Sequence, residues 1–405
     1  MYNINAKLIL DQGNSQERGC VVFTANGQPK KEIFELSNVF ATIPDDEEYQ
    51  VPSTYNADNS TIFSASFKAF SPVVADDDNL EGGYKSEQID ATFVHGALAH
   101  REFAQTAFRP SATEKKYLVL NTPLAFIRAL LEATRIIAKE LGVQNLNDLS
   151  ITWDVFTLLP PNDVDRGEQI IKDTFLSITQ VKFDMPDYLM NVNINSVTVY
   201  PEGFCAFMGA TFTSDYKIRE GYADLVRGKV LVVDIGAGTT DLMLIDNATV
   251  IDASKDSLTI GGNQVSQSIK RFLRKKDLDL PDEEIQNAIV TGKAQDGAKV
   301  LNVVKVVQKF KRDTAKAEIQ KLRDYFETSG VLPRTITHIL ICGGGSLGGE
   351  TPELTPMSEM MQDYLKVLAP NSVMVEIPND EAGKPISPRF LNLIGAVVIT
   401  LINNK

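Results

Sequence analysis

The apolar positions of this chain follow two rhythms, one of period two and one of period 3.6. At the amino end "AKLILD" (6–11) reads as a buried strand, and "CVVFTANGQPKKEIFELS" reads as two strands around an Asn26-Gly27 hairpin turn. From residue 229 the scheme returns: "KVLVVDIGAGTTDLMLID" sets two apolar runs on either side of a Gly- and Thr-rich turn, and "ATVIDAS" follows as a third strand. Helical spacing governs "NTPLAFIRALLEATRIIAKELG", where Pro123 suits the first turn, Leu124, Ile127, Leu131, Ile137 and Leu141 share a face, and Gly142 ends the helix. Further helices are predicted at 263–276, near 297–327, at 355–369 and at 388–402. "SITWDVFTLLP" and "THILICGGG" read as strands, and "SVTVYPEGFCAFMGA" as a strand turning into a helix. Strand hairpins followed by helices therefore occur twice, which predicts a duplicated α/β unit.

Between about 36 and 114 the pattern decays. "DDEEYQVPSTYNADNS" and "SPVVADDDNLEGGYKSE" are rich in turn formers and acids, and are expected to form surface loops of an insertion, or a flexible linker.

Composition narrows the class. A length of 405 residues suits two lobes, and 43% apolar with 23% charged residues belongs to a globular protein. A net charge of −13 argues against direct binding to a phosphate backbone, so any DNA contact calls for an adaptor. Cys20, Cys205 and Cys342 lie far apart and fit neither a zinc site nor a disulfide framework, which implies a reducing cytosol. The amino terminus lacks a signal-peptide pattern, and "LNLIGAVVITLI" is too short to span a bilayer; it is predicted to be a buried terminal helix. His95, His100 and His338 have no ligand spacing, Trp153 reads as core, and the charged run "KVVQKFKRDTAKAEIQKLRDYFE" reads as a solvated helix face.

Chemistry concentrates in two segments of one layout, "LILDQGNSQ" (8–16) and "LVVDIGAGTTD" (231–241). Each is a buried strand ending in Asp, with Gly two residues on and small polar residues leading to the next strand. Glycine lets backbone N–H groups approach an anion closely, so each turn could hold part of a polyphosphate. Asp11 and Asp234 would then face phosphate, and a water-bearing Mg²⁺ relieves the repulsion. Either turn alone is an ordinary hairpin; the pair, in two like units, is the stronger signal.

The paired Asp-Gly turns, "YPEG", "TIGGNQVSQSI" and "ILICGGGS" resemble, in order and over nearly the whole chain, the five nucleotide motifs of the actin, sugar-kinase and heat-shock-chaperone ATPase superfamily. Within it the chain looks most like bacterial actin-like proteins of the ParM plasmid-segregation type. The resemblance implies an α/β actin-like ATPase fold, with two duplicated lobes of mixed sheet flanked by helices around a nucleotide cleft. The first lobe would be 1–215 plus 386–405, with the 36–114 insertion; the second would be 216–385, with a smaller subdomain at 263–336.

By the same resemblance Asp11, Gly13, Asn14, Ser15 and Gln16 form the first phosphate loop, which lacks the lysine of some relatives. Asp234, Gly236, Ala237, Gly238, Thr239 and Thr240 form the second. Asp11 and Asp234 would serve Mg²⁺ through water. Glu202 would position the attacking water, with Asp234 beside it in catalysis; taken without the other motifs, Glu202 reads instead as a helix-start acid favoured by the dipole. Gly261, Gly262 and Asn263 would precede a helix flanking the base, and Gly343, Gly344, Gly345 and Ser346 would pass close to the nucleoside. Lys270, Arg271 and Arg274 offer either a contact to base or ribose or a solvated basic face.

The implied function is binding and hydrolysis of ATP or GTP coupled to assembly of dynamic filaments in the cytoplasm, for plasmid segregation through a small DNA-binding adaptor, with no direct nucleic-acid or membrane contact. The alternatives are a sugar or carboxylate kinase, for which Asp154 is a candidate base, and another bacterial cytoskeletal actin. A chaperone would need a substrate domain after the last helix.

Overall fold

A computed structural model of the chain describes residues 2–13, 16–44, 60–73, 83–110 and 114–402. Asn14, Ser15 and most of the two acidic stretches lie outside the described residues. Internal contacts divide the chain into one unit of 1–159 with 163–200 and a second of 160–162 with 201–405.

The first unit begins with β1 (Tyr2–Gln12), β2 (Gln16–Ala25) and β3 (Gln28–Ser37), an antiparallel meander whose Asn26 takes the left-handed φ of 53° that the Asn-Gly turn predicts. It continues through β4 (Phe40–Ile43), β5 (Ser60–Pro72), β6 (Tyr84–Gly96), α1 (Ala97–Arg101) and α2 (Asn121–Leu141). The last elements are β7 (Leu149–Leu159), α3 (Val164–Leu176), β8 (Gln180–Met185), β9 (Tyr188–Asn191) and β10 (Asn193–Pro201). One sheet has the order β10-β7-β1-β2-β3, with β7 parallel to β1. α2 covers it with the predicted apolar face, and Gly142 closes the helix in the left-handed conformation.

The region expected to be mostly loops is more regular than its composition suggests. β5 and β6 are 13-residue strands paired from Ser60↔Gly96 to Pro72↔Tyr84, in a second sheet of order β4-β6-β5-β8-β9. The cause is a period-two pattern: Phe63, Ala65 and Phe67 alternate with Ser64, Ser66 and Lys68, and the apolar set joins Phe93 and Phe183 in the shared core.

The second unit opens with α4 (Phe204–Thr211), α5 (Ala223–Arg227), β11 (Lys229–Ile235), β12 (Thr240–Asp246), β13 (Thr249–Val250) and β14 (Asp256–Leu258). There follow α6 (Asn263–Arg274), α7 (Asp282–Thr291), the hairpin β15 (Lys293–Asp296) and β16 (Lys299–Asn302), and α8 (Val304–Thr328). The predicted charged helix thus starts after the hairpin. β17 (His338–Cys342), α9 (Met357–Leu368), β18 (Val373–Met374) and α10 (Leu391–Ile402) complete the unit. Its sheet runs β13-β12-β11-β17-β18, with β14 also on β12. β11 is antiparallel to β12 and parallel to β17, as β1 is to β2 and β7. The order of the first unit's sheet is thereby repeated strand for strand.

Strand parity then decides what each side chain meets. Leu231, Val233, Ile235, Leu242 and Leu244 share a core with α8 and α9, whereas Val230, Val232, Met243 and Ile245 share one with α4 and α10. α4 and α10 cross backbone to backbone: a Cβ on Gly395 would stand 1.7 Å from the Cys205 carbonyl oxygen, and one on Gly209 would stand 2.4 Å from that of Leu391. The pair packs as a body on β11, β12 and β17, so 201–215 and 386–402 belong by contact to the second unit, where the sequence reading assigns them to the first lobe. Within 263–336, α6, α7, the β15–β16 hairpin and the start of α8 share a core of their own.

Candidate functional site

Both sequence-predicted turns close by the same backbone bond. Gly13 N–H donates to the Gln16 carbonyl at 3.1 Å, and Gly236 N–H to the Thr239 carbonyl at 2.8 Å. Each closure follows a buried aspartate at the tip of the third strand in its sheet order, Asp11 and Asp234, both 5% exposed.

In the first turn Asn38 Nδ2 donates to the Gly13 carbonyl at 2.8 Å and Asn121 Nδ2 to Asn38 Oδ1 at 3.2 Å, so buried amides brace the loop. Opposite Asp11 across the ladder stands Arg18. Its Nη1 donates to Asp11 Oδ2 at 3.4 Å and its Nε to Glu35 Oε1 at 3.3 Å. Sequence reading noted a missing lysine and overlooked this arginine, which the hairpin register alone places beside Asp11. Beneath the turn Glu17 is fully enclosed, and burial pushes its carboxyl well above the usual range despite the Arg128 guanidinium and a bond from Gln12.

In the second turn the base-side and nucleoside-side glycines are drawn to the loop. Gly262 N–H donates to the Gly236 carbonyl at 3.0 Å and Asn263 N–H to the Ala237 carbonyl at 2.6 Å. A Cβ on Gly261 would stand 2.8 Å from the Gly236 oxygen, and one on Gly345 would stand 2.7 Å from an Ile235 methyl, so both positions require the bare backbone. Gly343, at φ 85°, lies against Asp234, and Ser346 Oγ donates to its carbonyl at 2.7 Å. Gly343 caps a 3₁₀ turn that spans Gly344–Ser346. Gly236 to Thr240, Gly261 to Asn263 and Gly343 to Ser346 are therefore one backbone-built patch.

Thr240 points to the α8 side of the sheet. Its Oγ1 lies 3.0 Å from the Ile260 carbonyl and 2.8 Å from Glu318 Oε1. A hydroxyl has one proton to give, so both contacts are hydrogen bonds when Glu318 is protonated. Burial pushes the Glu318 carboxyl up to about 7, and the Thr240 bond opposes that shift. Two turns earlier on the same face of α8, Lys311 Nζ donates to the Leu347 carbonyl at 3.1 Å, and burial lowers the amine to about 8. Sequence reading passed over both as members of a solvated face. Lys270 is two turns along α6 and pairs with Asp282 at 2.7 Å; Arg274 pairs with Asp279 at 2.8 Å.

Asp234 points to the other side. Asn392 Nδ2 of α10 donates to its Oδ2 at 2.6 Å, while Asn392 Oδ1 accepts from Gly203 N–H at 3.1 Å. Gly203, at φ 71°, follows Glu202, which is 5% exposed at the entry to α4. The structure thus brings Glu202 and Asp234 to one face of one sheet. Asp241 sits opposite Asp234 in the ladder. Among the described residues no three carboxylate, His or Cys side chains gather as a ligand set. A hard cation at Asp234 would accordingly draw most of its oxygens from water and substrate, which is how Mg²⁺ is commonly held.

Elsewhere, Trp153 is core and His95 is buried with Nε2 2.7 Å from the Ser37 carbonyl. Asp154 accepts from Asn195 at 2.8 Å and Ser196 at 2.5 Å. Among the described residues no helix is long and apolar enough to cross a membrane.

Residues 232–349 match the family model of the C-terminal domain of archaeal MreB-like actin homologues. No curated protein matches. Among solved structures, actin-like protein Alp7A superposes with TM-score 0.66 at 17% identity, covering 100% of this chain and 97% of that one. Ta0583, an archaeal actin homologue, gives 0.61 at 15%, covering 98% and 99%. A ParM from Clostridium botulinum, solved as a 15-stranded filament, gives 0.58 at 16%, covering 98% of each. With two sheets of the same strand order and a likeness that runs the length of all three chains, this protein has the actin-like fold.

Proposed function

We propose that the chain binds a nucleoside triphosphate with Mg²⁺, hydrolyses its terminal phosphate and assembles into filaments. The observation that carries this reading is the twin Asp-x-Gly turn, closed by the same bond at the same point of two matching sheets. Solved relatives of this fold include Ta0583 in complex with ADP and Bacillus thuringiensis ParM with AMPPNP. The filament from Clostridium botulinum supports assembly.

In this reading backbone N–H groups of each turn hold phosphate oxygens, and Arg18 adds positive charge to the first. Asp11 and Asp234 are the residues that would hold Mg²⁺ through water, and the cation would offset phosphate charge. Glu202 orients the attacking water, and a γ-phosphoryl transfer asks little more of the protein than such placement. Gly261 to Asn263 and Gly343 to Ser346 border the nucleoside. Lys311 and Glu318 flank that patch from α8. A kinase reading is weaker, because Asp154 is already engaged by its neighbouring strand.

Glu202→Ala is expected to permit assembly while slowing phosphate release and disassembly by about 100-fold or more. Sedimentation and phosphate assays with ATP, GTP and no nucleotide check this, and unchanged turnover would remove the role. Turnover that needs glucose or glycerol, without sedimentable polymer, would favour the kinase. The work of the filaments is proposed to be plasmid segregation in the cytoplasm, through a small DNA-binding adaptor; a neighbouring gene for such an adaptor is the direct check.

A further inference from the structure

Asn392 occupies the first turn of a largely apolar helix and is 8% exposed. Its amide is used on both sides, giving a proton to Asp234 Oδ2 at 2.6 Å and taking one from Gly203 N–H at 3.1 Å. The second Asp234 oxygen is confined as well, since a Cβ on Gly343 would stand 2.2 Å from Oδ1. The strand-tip carboxylate is therefore fixed between an amide and a bare backbone. The same amide fixes the peptide that follows Glu202. An ionised carboxylate at 392 could accept from Gly203 and would repel Asp234; an aliphatic group would do neither.

We propose that Asn392 is a positioning residue for phosphate hydrolysis, setting the plane of the Asp234 carboxylate and tying the Glu202 turn to it. The two acids then keep one relative placement, which a reaction dependent on in-line water requires to within a fraction of an ångström. The inference rests on the hydrolysis reading above.

The test compares the full native chain with Asn392→Leu, Asn392→Asp, Glu202→Ala and the Asn392→Leu/Glu202→Ala double variant. Phosphate release with ATP and Mg²⁺, binding of a fluorescent ATP analogue and thermal melting are followed for each. Asn392→Leu is expected to lower kcat by about 10- to 100-fold, as loss of an orienting partner does, with KM changed by less than about threefold. In the Glu202→Ala background it should add little further loss, because groups acting as a unit do not add.

Asn392→Asp separates the two bonds. Its carboxylate can still accept from Gly203 but repels Asp234, so its kcat should fall at least as far as that of Asn392→Leu, with KM again changed by less than about threefold. Native-like turnover in both variants would overturn the proposal. So would losses that merely track melting temperature and analogue binding. Should Asn392→Leu fail to fold, the split between kcat and KM in Asn392→Asp decides alone. A native chain that binds the analogue and releases no phosphate would remove the hydrolysis reading, and the role of Asn392 with it.

Discussion

The two aspartate turns share a backbone and differ in charge. In the first hairpin Asp11 faces Arg18 across the ladder; in the second, Asp234 faces Asp241. Opposite charges at that spacing stabilise a strand pair and like charges destabilise it, each by up to about 1 kcal/mol. The first turn carries its own counter-charge. The second sets two acids side by side with a neutral amide, Asn392, on one of them. A duplicated scaffold thus carries two electrostatic characters, an opposite-charge cross-strand pair in the first half and two facing carboxyl side chains in the second.

The largest expected effect that would break this comparison is at Gly343, the wedge against Asp234. Alanine there would place a Cβ 2.2 Å from Asp234 Oδ1 and 2.4 Å from the Ile235 carbonyl, at a φ of 85°. Overpacking and backbone strain together should cost about 4 kcal/mol, read from the midpoint of urea unfolding.

Next comes Glu318. Its carboxyl rises from an ordinary 4.5 to about 7 in the folded chain, so its favourable contribution is complete below the unfolded value and is lost as pH climbs through the folded one. Native stability should decline across that window, by on the order of 3 kcal/mol at most. Glu318→Gln should flatten the profile, as measured by denaturant unfolding at a series of pH values.

The smallest effect separates the turns themselves. A Cβ on Gly13 would stand 2.6 Å from the Gln16 carbonyl oxygen, and one on Gly236 would stand 3.0 Å from that of Thr239. Alanine at Gly13 should therefore cost about 1 kcal/mol more than alanine at Gly236. Equal costs would mean that the first loop relaxes as readily as the second.

Much of this was legible because buried strands announce themselves. The runs ending at Asp11 and Asp234, the Asn-Gly turn and the α2 helix with its glycine stop are local signals, and the structure agrees with them. β5 escaped because Ser64, Ser66 and Lys68 dilute a real alternation of Phe63, Ala65 and Phe67, and acidic neighbours drew attention to turns. Arg18 was hidden by the search for lysine in the loop, although hairpin register puts residue 18 opposite residue 11. Glu318 and Lys311 looked like members of a solvated face, since charge spacing along α8 does not reveal which stripe is covered. Asn392 left one faint mark, an amide in an apolar run, and its partners lie 158 and 189 residues away. The placement of α4 and α10 with the second unit follows from their packing on β11, β12 and β17, a long-range contact that no local pattern encodes.

The crossing of α4 and α10 has a mechanical side. With the Cys205 carbonyl held against Gly395 and no side chain between them, any larger residue at the crossing would have to push the two helices apart. The peptide after Glu202 and the carboxyl-terminal helix are thereby joined by the bare backbone of two glycines, and the seam tolerates no added carbon.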